Sequence, residues 1–186
     1  MAKNKSVVGI YNSRGAVEAA LTYLRDAGFA STDVSVLLPE NLGPKELATT
    51  KATKAPEGTA AGATSGAVIG GALGWLVGIG ALAIPGLGPF IAAGPIMTAL
   101  AGVGVGGAVS GFTGALVGLG IPEYEAKRYE GRLQKGGILI SVHCESSEEI
   151  NRAKDVLKKT GAEDISTTSE SHVSKSDDTA AKRAGL

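Results

Sequence analysis

Apolar and polar positions near the N-terminus follow two periods in turn. Val7 to Tyr11 is β-prone, Asn12 and Ser13 offer a helix cap, and Val17, Ala20, Leu21 and Leu24 then recur at helical spacing until Gly28 supplies a stop. Val34 to Leu38 reads as a second strand, closed by Pro39. The pattern returns near the C-terminus. Ile138 to Cys144 is a strand, Ser146 caps a helix carrying Ile150, Ala153, Val156 and Leu157, Gly161 ends it, and Asp164-Ile165-Ser166 opens another strand.

The two segments are an internal repeat. Ser13, Val17, Ala20, Leu24 and Gly28 match Ser146, Ile150, Ala153, Leu157 and Gly161 at a constant offset, and Asp33-Val34-Ser35 matches Asp164-Ile165-Ser166 after a two-residue deletion. Amphipathic periodicity shared by any two surface helices would reproduce several of these matches. Two βαβ units predict an α+β fold: a ferredoxin-like βαββαβ sandwich, with two helices on one face of a four-stranded antiparallel sheet. Its second and third strands are neighbours, so a segment inserted between them leaves and returns at one edge. A hairpin meets that demand.

The insertion has its own pattern. Gly62, Gly66, Gly70, Gly74 and Gly78 stand four apart, and Gly94, Thr98, Gly102, Gly106, Ser110, Gly114 and Gly118 continue a small-residue spacing of four. Each interior glycine costs a helix about 0.8 to 1 kcal/mol against alanine in water. In lipid the chain stays helical because unbonded amides are expensive there, and small residues then let helix backbones approach closely. IPGLGP, Ile84 to Pro89, would turn the chain between two such helices. Thr59 to Ile84 would give roughly 39 Å of helix and Phe90 to Gly120 somewhat more, each enough to span a bilayer. The expected element is an inserted α-helical glycine-zipper hairpin, transmembrane and self-associating. A hairpin packed into a protein-only oligomeric core is the alternative. Its interface would be Gly62, Gly66, Gly70, Gly74, Gly78, Gly94, Gly102, Gly106, Ser110, Gly114 and Gly118.

The boundaries that follow are residues 1–39 for the first βαβ half, 40–58 for a linker, and 59–121 for the hairpin. Residues 122–168 hold a connecting helix and the second half, and 169–186 a polar tail read as disordered. In the connecting helix Pro122 suits the first turn, Glu123 and Glu125 its positive end, and Arg132 and Lys135 the other.

Charge sharpens the division. Between Glu57 and Glu123, about 65 residues, there is no Asp, Glu, Lys, Arg or His. Lys45, Lys51 and Lys54 precede this stretch and Lys127, Arg128, Arg132 and Lys135 follow it, which by the positive-inside rule places both flanks in the cytoplasm, at a bacterial inner membrane. A cytoplasmic assembly is the alternative. The formal net charge is zero and basic residues are interleaved with acids, which excludes a nucleic-acid partner. MAKNKSVVGIY has no apolar core or cleavage site of a signal peptide.

Candidate chemistry is sparse. The lone cysteine, Cys144, forms no internal disulfide and has no neighbouring cluster to anchor zinc. Its face is shared with Ile138, Ile140 and Val142, a core position. His143 falls on the opposite face, which in a two-layer sandwich lacks helices and would meet a partner; the two side chains cannot form a nucleophile and base pair. Gly102 to Gly107 satisfies G-x-G-x-x-G by composition alone, without a preceding strand or a following acid. Glu148-Glu149 and Asp177-Asp178 read as solvated charges, His172 as a solvated tail residue, and Tyr124, Tyr129 and Trp75 as interfacial aromatics, with Trp75, near the middle of the first segment, alternatively facing lipid or a packing neighbour. No catalytic residue, cofactor or metal is expected.

VVGIYNSRGAVEAALTYLRDAGFASTDVSVL resembles the heat-induced stress protein YflT-like family of bacterial general-stress proteins, with its strand, Ala-rich helix, Gly-Phe turn and strand. The middle is similar to glycine-zipper segments of bacterial envelope proteins. The resemblance implies a stress role without enzymatic activity, and the inserted hairpin departs from the short soluble members. The expected function is a non-enzymatic, stress-related, membrane-associated protein that self-assembles through its hairpin in a structural or protective role, with lipid and its own copies as partners. Competing expectations are a small-molecule-sensing regulatory module coupled to a membrane hairpin, and a soluble self-assembling particle whose hairpins form a shared core. A pore is disfavoured because the hairpin carries no ionisable residue.

Overall fold

The computed structural model describes residues 5–42, 72–76, 78–84, 87–94, 112–118 and 120–169. They form a six-stranded, wholly antiparallel sheet with helices on both faces. In chain order the elements are β1 (Lys5–Tyr11), α1 (Arg14–Asp26), β2 (Val34–Pro39) and a 3-10 turn (Glu40–Leu42). A second 3-10 turn (Ala72–Trp75), β3 (Gly80–Ile84), β4 (Gly88–Ala93) and α2 (Phe112–Gly118) follow. The chain continues through α3 (Glu123–Gln134), β5 (Ile138–Cys144), α4 (Ser147–Lys159) and β6 (Glu163–Ser169). Across the sheet the strands run β3-β4-β2-β5-β1-β6.

The two repeats use the same local devices. Ser13 and Ser146 sit in extended conformation and accept the Ala16 and Glu149 amides at 3.3 and 3.2 Å, capping α1 and α4. The Glu149 carboxylate reaches back to accept the Glu145 amide at 2.7 Å. At the other ends, Gly28 and Gly161 adopt φ of +89° and +87°, a left-handed turn that lets the Phe29 and Ala162 amides donate to Leu24 and Leu157 carbonyls. On the outer side the Lys159 ammonium lies 4.4 Å from the Tyr23 ring and Arg152 lies 5.5 Å from the Phe29 ring, tying α1 to α4 and the turn beyond α1.

Strand alternation divides the core in two. One face carries Val7, Tyr11, Val36, Ile91, Ile140, Val142 and Cys144 under α1, α4 and the Ala72–Trp75 turn. The other carries Val8, Ile10, Leu37, Phe90, Ala92 and Leu139 under α2 and α3. Each fully buried Leu, Ile or Phe contributes roughly 1.5 to 3 kcal/mol. The face expected to lack helices is therefore covered, by Phe112, Leu116, Ala126, Tyr129 and Leu133.

This corrects the expected fold class, a four-stranded sandwich interrupted by a transmembrane α-helical hairpin. Gly80–Ile84 and Phe90–Ala93, placed in the two membrane helices, are strands, and among the described residues no helix is long and apolar enough to cross a membrane. The cause is the open edge of β2. Val36 to Pro39 pair with Phe90 to Ala93, which satisfies the outward amides of Val36 and Leu38 and buries Phe90, Ile91 and Ala92 on alternate faces. Away from lipid, a glycine-rich segment has little helix propensity with which to resist that pairing. Ile84 pairs with Gly88, so the segment expected to join two helices joins two antiparallel strands. Gly94, with φ of +76°, then ends β4.

Candidate interaction surface

The described parts of the uncharged stretch gather on one flank. The Ala72–Trp75 turn lays Leu73 and Leu76 on the first face against Val36, Leu38 and Ile91. β4 and β3 extend the sheet from β2, and α2 covers Ile84, Phe90 and Ala92 on the second face through Phe112, Ala115 and Leu116. Because no charge occurs between Glu57 and Glu123, every side chain these elements present is neutral. Ala81, Ala83, Pro89 and Gly118 are exposed there, and Val117 is 42% exposed.

The opposite edge differs. In β6, Glu163 and Asp164 meet Arg132 at 3.0 Å each and Arg128 reaches Asp164 at 3.4 Å. Asp164 has φ of +50°, and the β1–β6 register shifts between Val8 and Ile10. Charges and a bulge are devices that keep a sheet edge from pairing with other chains. β3 carries neither.

Two phenols lock the framework near the charged edge. The Tyr129 hydroxyl lies 2.7 Å from the Ser166 hydroxyl and donates to the Asp164 carbonyl at 3.1 Å. Tyr11 lies 2.7 Å from the Thr160 hydroxyl. Burial pushes both phenols up to about 12, and each hydroxyl contact partly opposes that rise. Thr113 of α2 donates to the Glu130 carboxylate, holding the short helix on α3. On the exposed side of α3, the Lys127 ammonium at 2.7 Å holds the Glu123 carboxyl below its usual range.

Where β2 ends, an open cleft of about 570 Å³ lies between β4 and the end of α3. Phe90 and Leu133 form its floor, and Glu40, Asn41 and Gln134 stand at its rim. Its lining has no nucleophile beside a base.

Five of the eleven expected interface residues fall among the described residues. Gly74 lies in the 3-10 turn, Gly78 in a bend with φ of +66°, Gly94 at the end of β4, and Gly114 and Gly118 on α2. Gly62, Gly66, Gly70, Gly102, Gly106 and Ser110 lie outside the described residues. Tyr129, read as an interfacial aromatic, is buried, Trp75 packs on the first core, and Tyr124 is 65% exposed. Cys144 is buried among its β5 neighbours and its thiol donates to the Val142 carbonyl at 3.6 Å. His143 is half-buried, its amide donating to the Asp33 carbonyl at 2.7 Å. Among the described residues no group of three His, Cys, Asp or Glu side chains is arranged to hold a metal ion. Sequence reasoning missed the β3–β4 hairpin; the β-prone Phe90-Ile91 pair beside a Pro and Gly turn was its available signal.

Residues 5–167 match the family described as Alternative complex III, ActD subunit. The chain belongs to the ActD family. No curated protein and no solved structure matches it. The ActD match overturns the resemblance to YflT-like general-stress proteins, and with it the stress role and the membrane-spanning glycine zipper assigned as function. Alternative complex III is a respiratory electron-transfer complex associated with the membrane, so an ActD chain has protein partners.

Proposed function

We propose that this chain is a non-enzymatic assembly subunit that docks on its complex through the uncharged flank formed by β3, β4 and α2. The observation that carries the reading is the segregation of charge: one edge of the sheet is guarded by Arg128, Arg132, Glu163 and Asp164, while at the other every side chain of β3, β4 and α2 is neutral. A partner covering a neutral surface strips water from no charged group, so burial of the flank carries little desolvation penalty. The assembly role, as against a catalytic one, is supported by the register of β5, which directs Cys144 into the first core and His143 to the opposite face.

Lipid and further copies of the chain are the finer partners that a neutral flank would also admit. The test is Val117→Glu combined with Gly118→Glu in the full chain, compared with Lys154→Glu on the charged side. The flank variant should reduce the chain recovered with the purified complex at least tenfold while the control keeps it. Equal recovery of both variants would overturn the reading. Release of the flank variant from washed membranes that lack the other subunits would identify lipid as the surface it meets.

A further inference from the structure

The backbone of the flank is more specific than its side chains. In an antiparallel pair, opposed residues alternate between those that exchange hydrogen bonds and those whose amides and carbonyls turn the other way. The His143 amide donates to the Asp33 carbonyl at 2.7 Å, which fixes the phase between β2 and β5. Continuing the register, Ser35 and Leu37 bond Ser141 and Leu139, so Val36 and Leu38 bond outward to Ala93 and Ile91 of β4. Phe90 and Ala92 then turn toward β3, where they bond Leu82 and Gly80. Two prolines agree with this phase. Pro39 opposite Phe90 and Pro89 opposite Ala83 both fall at positions where the missing N–H costs no ladder bond.

The consequence falls on β3. Ala81 and Ala83 point both N–H groups and both carbonyls away from the sheet, and among the described residues no strand meets them. Both residues are exposed, their methyl groups are too small to fend off a neighbouring backbone, and the strand contains no charge, proline or bulge.

We infer that β3 accepts a seventh strand, an extended and uncharged segment of another subunit of the complex, through four backbone hydrogen bonds at Ala81 and Ala83. This rests on the docking role proposed for the flank and specifies how it is done. A strand of five residues is about 16 Å long, too short to bury the roughly 1,000 Å² of a free-standing interface. The added segment must therefore belong to a protein held to this chain by other contacts as well. That requirement selects a fellow subunit over a second copy paired through β3 alone. The neutrality of the flank selects an uncharged segment, since a buried unpaired charge would be costly.

The experiment compares amide hydrogen exchange in the isolated full chain and in the purified complex, read on peptides spanning Gly80 to Ile84. Exchange at Ala81 and Ala83 should slow at least tenfold in the complex, with Leu82 protected in both states. Ala83→Pro removes one outward N–H at an edge position that tolerates proline, so it should keep its far-UV spectrum and thermal midpoint yet lose at least tenfold in recovery with the complex. Ala83→Val should be recovered normally. Unchanged exchange at Ala81 and Ala83 on assembly would overturn strand addition, and the effect of Val117→Glu with Gly118→Glu would then decide separately whether the flank docks at all. Protection in the isolated chain that rises with its concentration, together with sedimentation as a dimer, would overturn the fellow-subunit assignment in favour of a second copy.

Discussion

Gly94→Ala separates a sheet built on β4 from a helix lined with small residues. At Gly94 the backbone has φ of +76°, and an added Cβ would stand 2.3 Å from the Val34 carbonyl oxygen and 3.0 Å from Ser35 Cα and Oγ. The left-handed conformation costs a residue with a Cβ about 1 to 2 kcal/mol. Relief of the overlap needs β2 and β4 to part by about 1 Å, an overpacking strain of roughly 1 to 3 kcal/mol. The expected loss is about 2 to 5 kcal/mol. With a urea slope of about 2 kcal/mol per molar, the unfolding midpoint should fall by roughly 1 to 2.5 M. Gly118→Ala is the internal comparison: it ends a helix, has negative φ, and its added methyl meets nothing within 4 Å. That variant should match the parent or gain up to about 1 kcal/mol. If four-spaced glycines served a common helix contact, the two substitutions would act alike, so equal midpoints for both would refute the sheet argument. So would a Gly94→Ala unfolding free energy within about 0.5 kcal/mol of the parent.

Alkaline pH tests the two buried phenols. Both are pushed up to about 12, against 10.0 unperturbed, so between those values the folded chain holds protons that the unfolded chain has released. Their stabilisation is complete below pH 10 and is lost as pH rises from 10 to 12, by roughly 3 kcal/mol for each phenol. Urea midpoints should fall steeply across that window and less steeply in Tyr11→Phe with Tyr129→Phe; an unaltered slope in the double variant would reject this cause. Ser13→Ala and Ser146→Ala should each cost about 1 kcal/mol, and their losses should add because the caps are separate; thermal unfolding of the two single variants and the double variant measures both statements.

The legible parts of this chain were those whose signals are local. Ser13, Ser146, Gly28 and Gly161 mark the ends of α1 and α4 because a cap or a left-handed stop acts within four residues of where it sits. The acids at the start of α3 and the run from Ile138 to Cys144 were equally readable. The β3–β4 hairpin was not. Whether Phe90 to Ala93 is strand or helix is decided by the open edge of β2, some fifty residues earlier in the chain. Glycine and alanine state no strong preference of their own, so the distant partner wins. Tyr129, read as an interfacial aromatic, is instead buried with Ala126 and Leu133, because helical spacing alone does not say which sheet face α3 will cover. Of the expected interface residues, Gly78 and Gly94 have φ values that an α-helix does not allow, which four-residue spacing does not reveal.

β5 lies between β1 and β2. During synthesis the ribosome delivers β1, α1 and β2 long before residue 144, so these strands emerge without the neighbour that will separate them. The uncharged stretch is released next, while the sheet that will shelter its β4 is still incomplete. A nascent ActD chain therefore passes through a window in which its stickiest sequence is exposed, and the length of that window is set by translation speed.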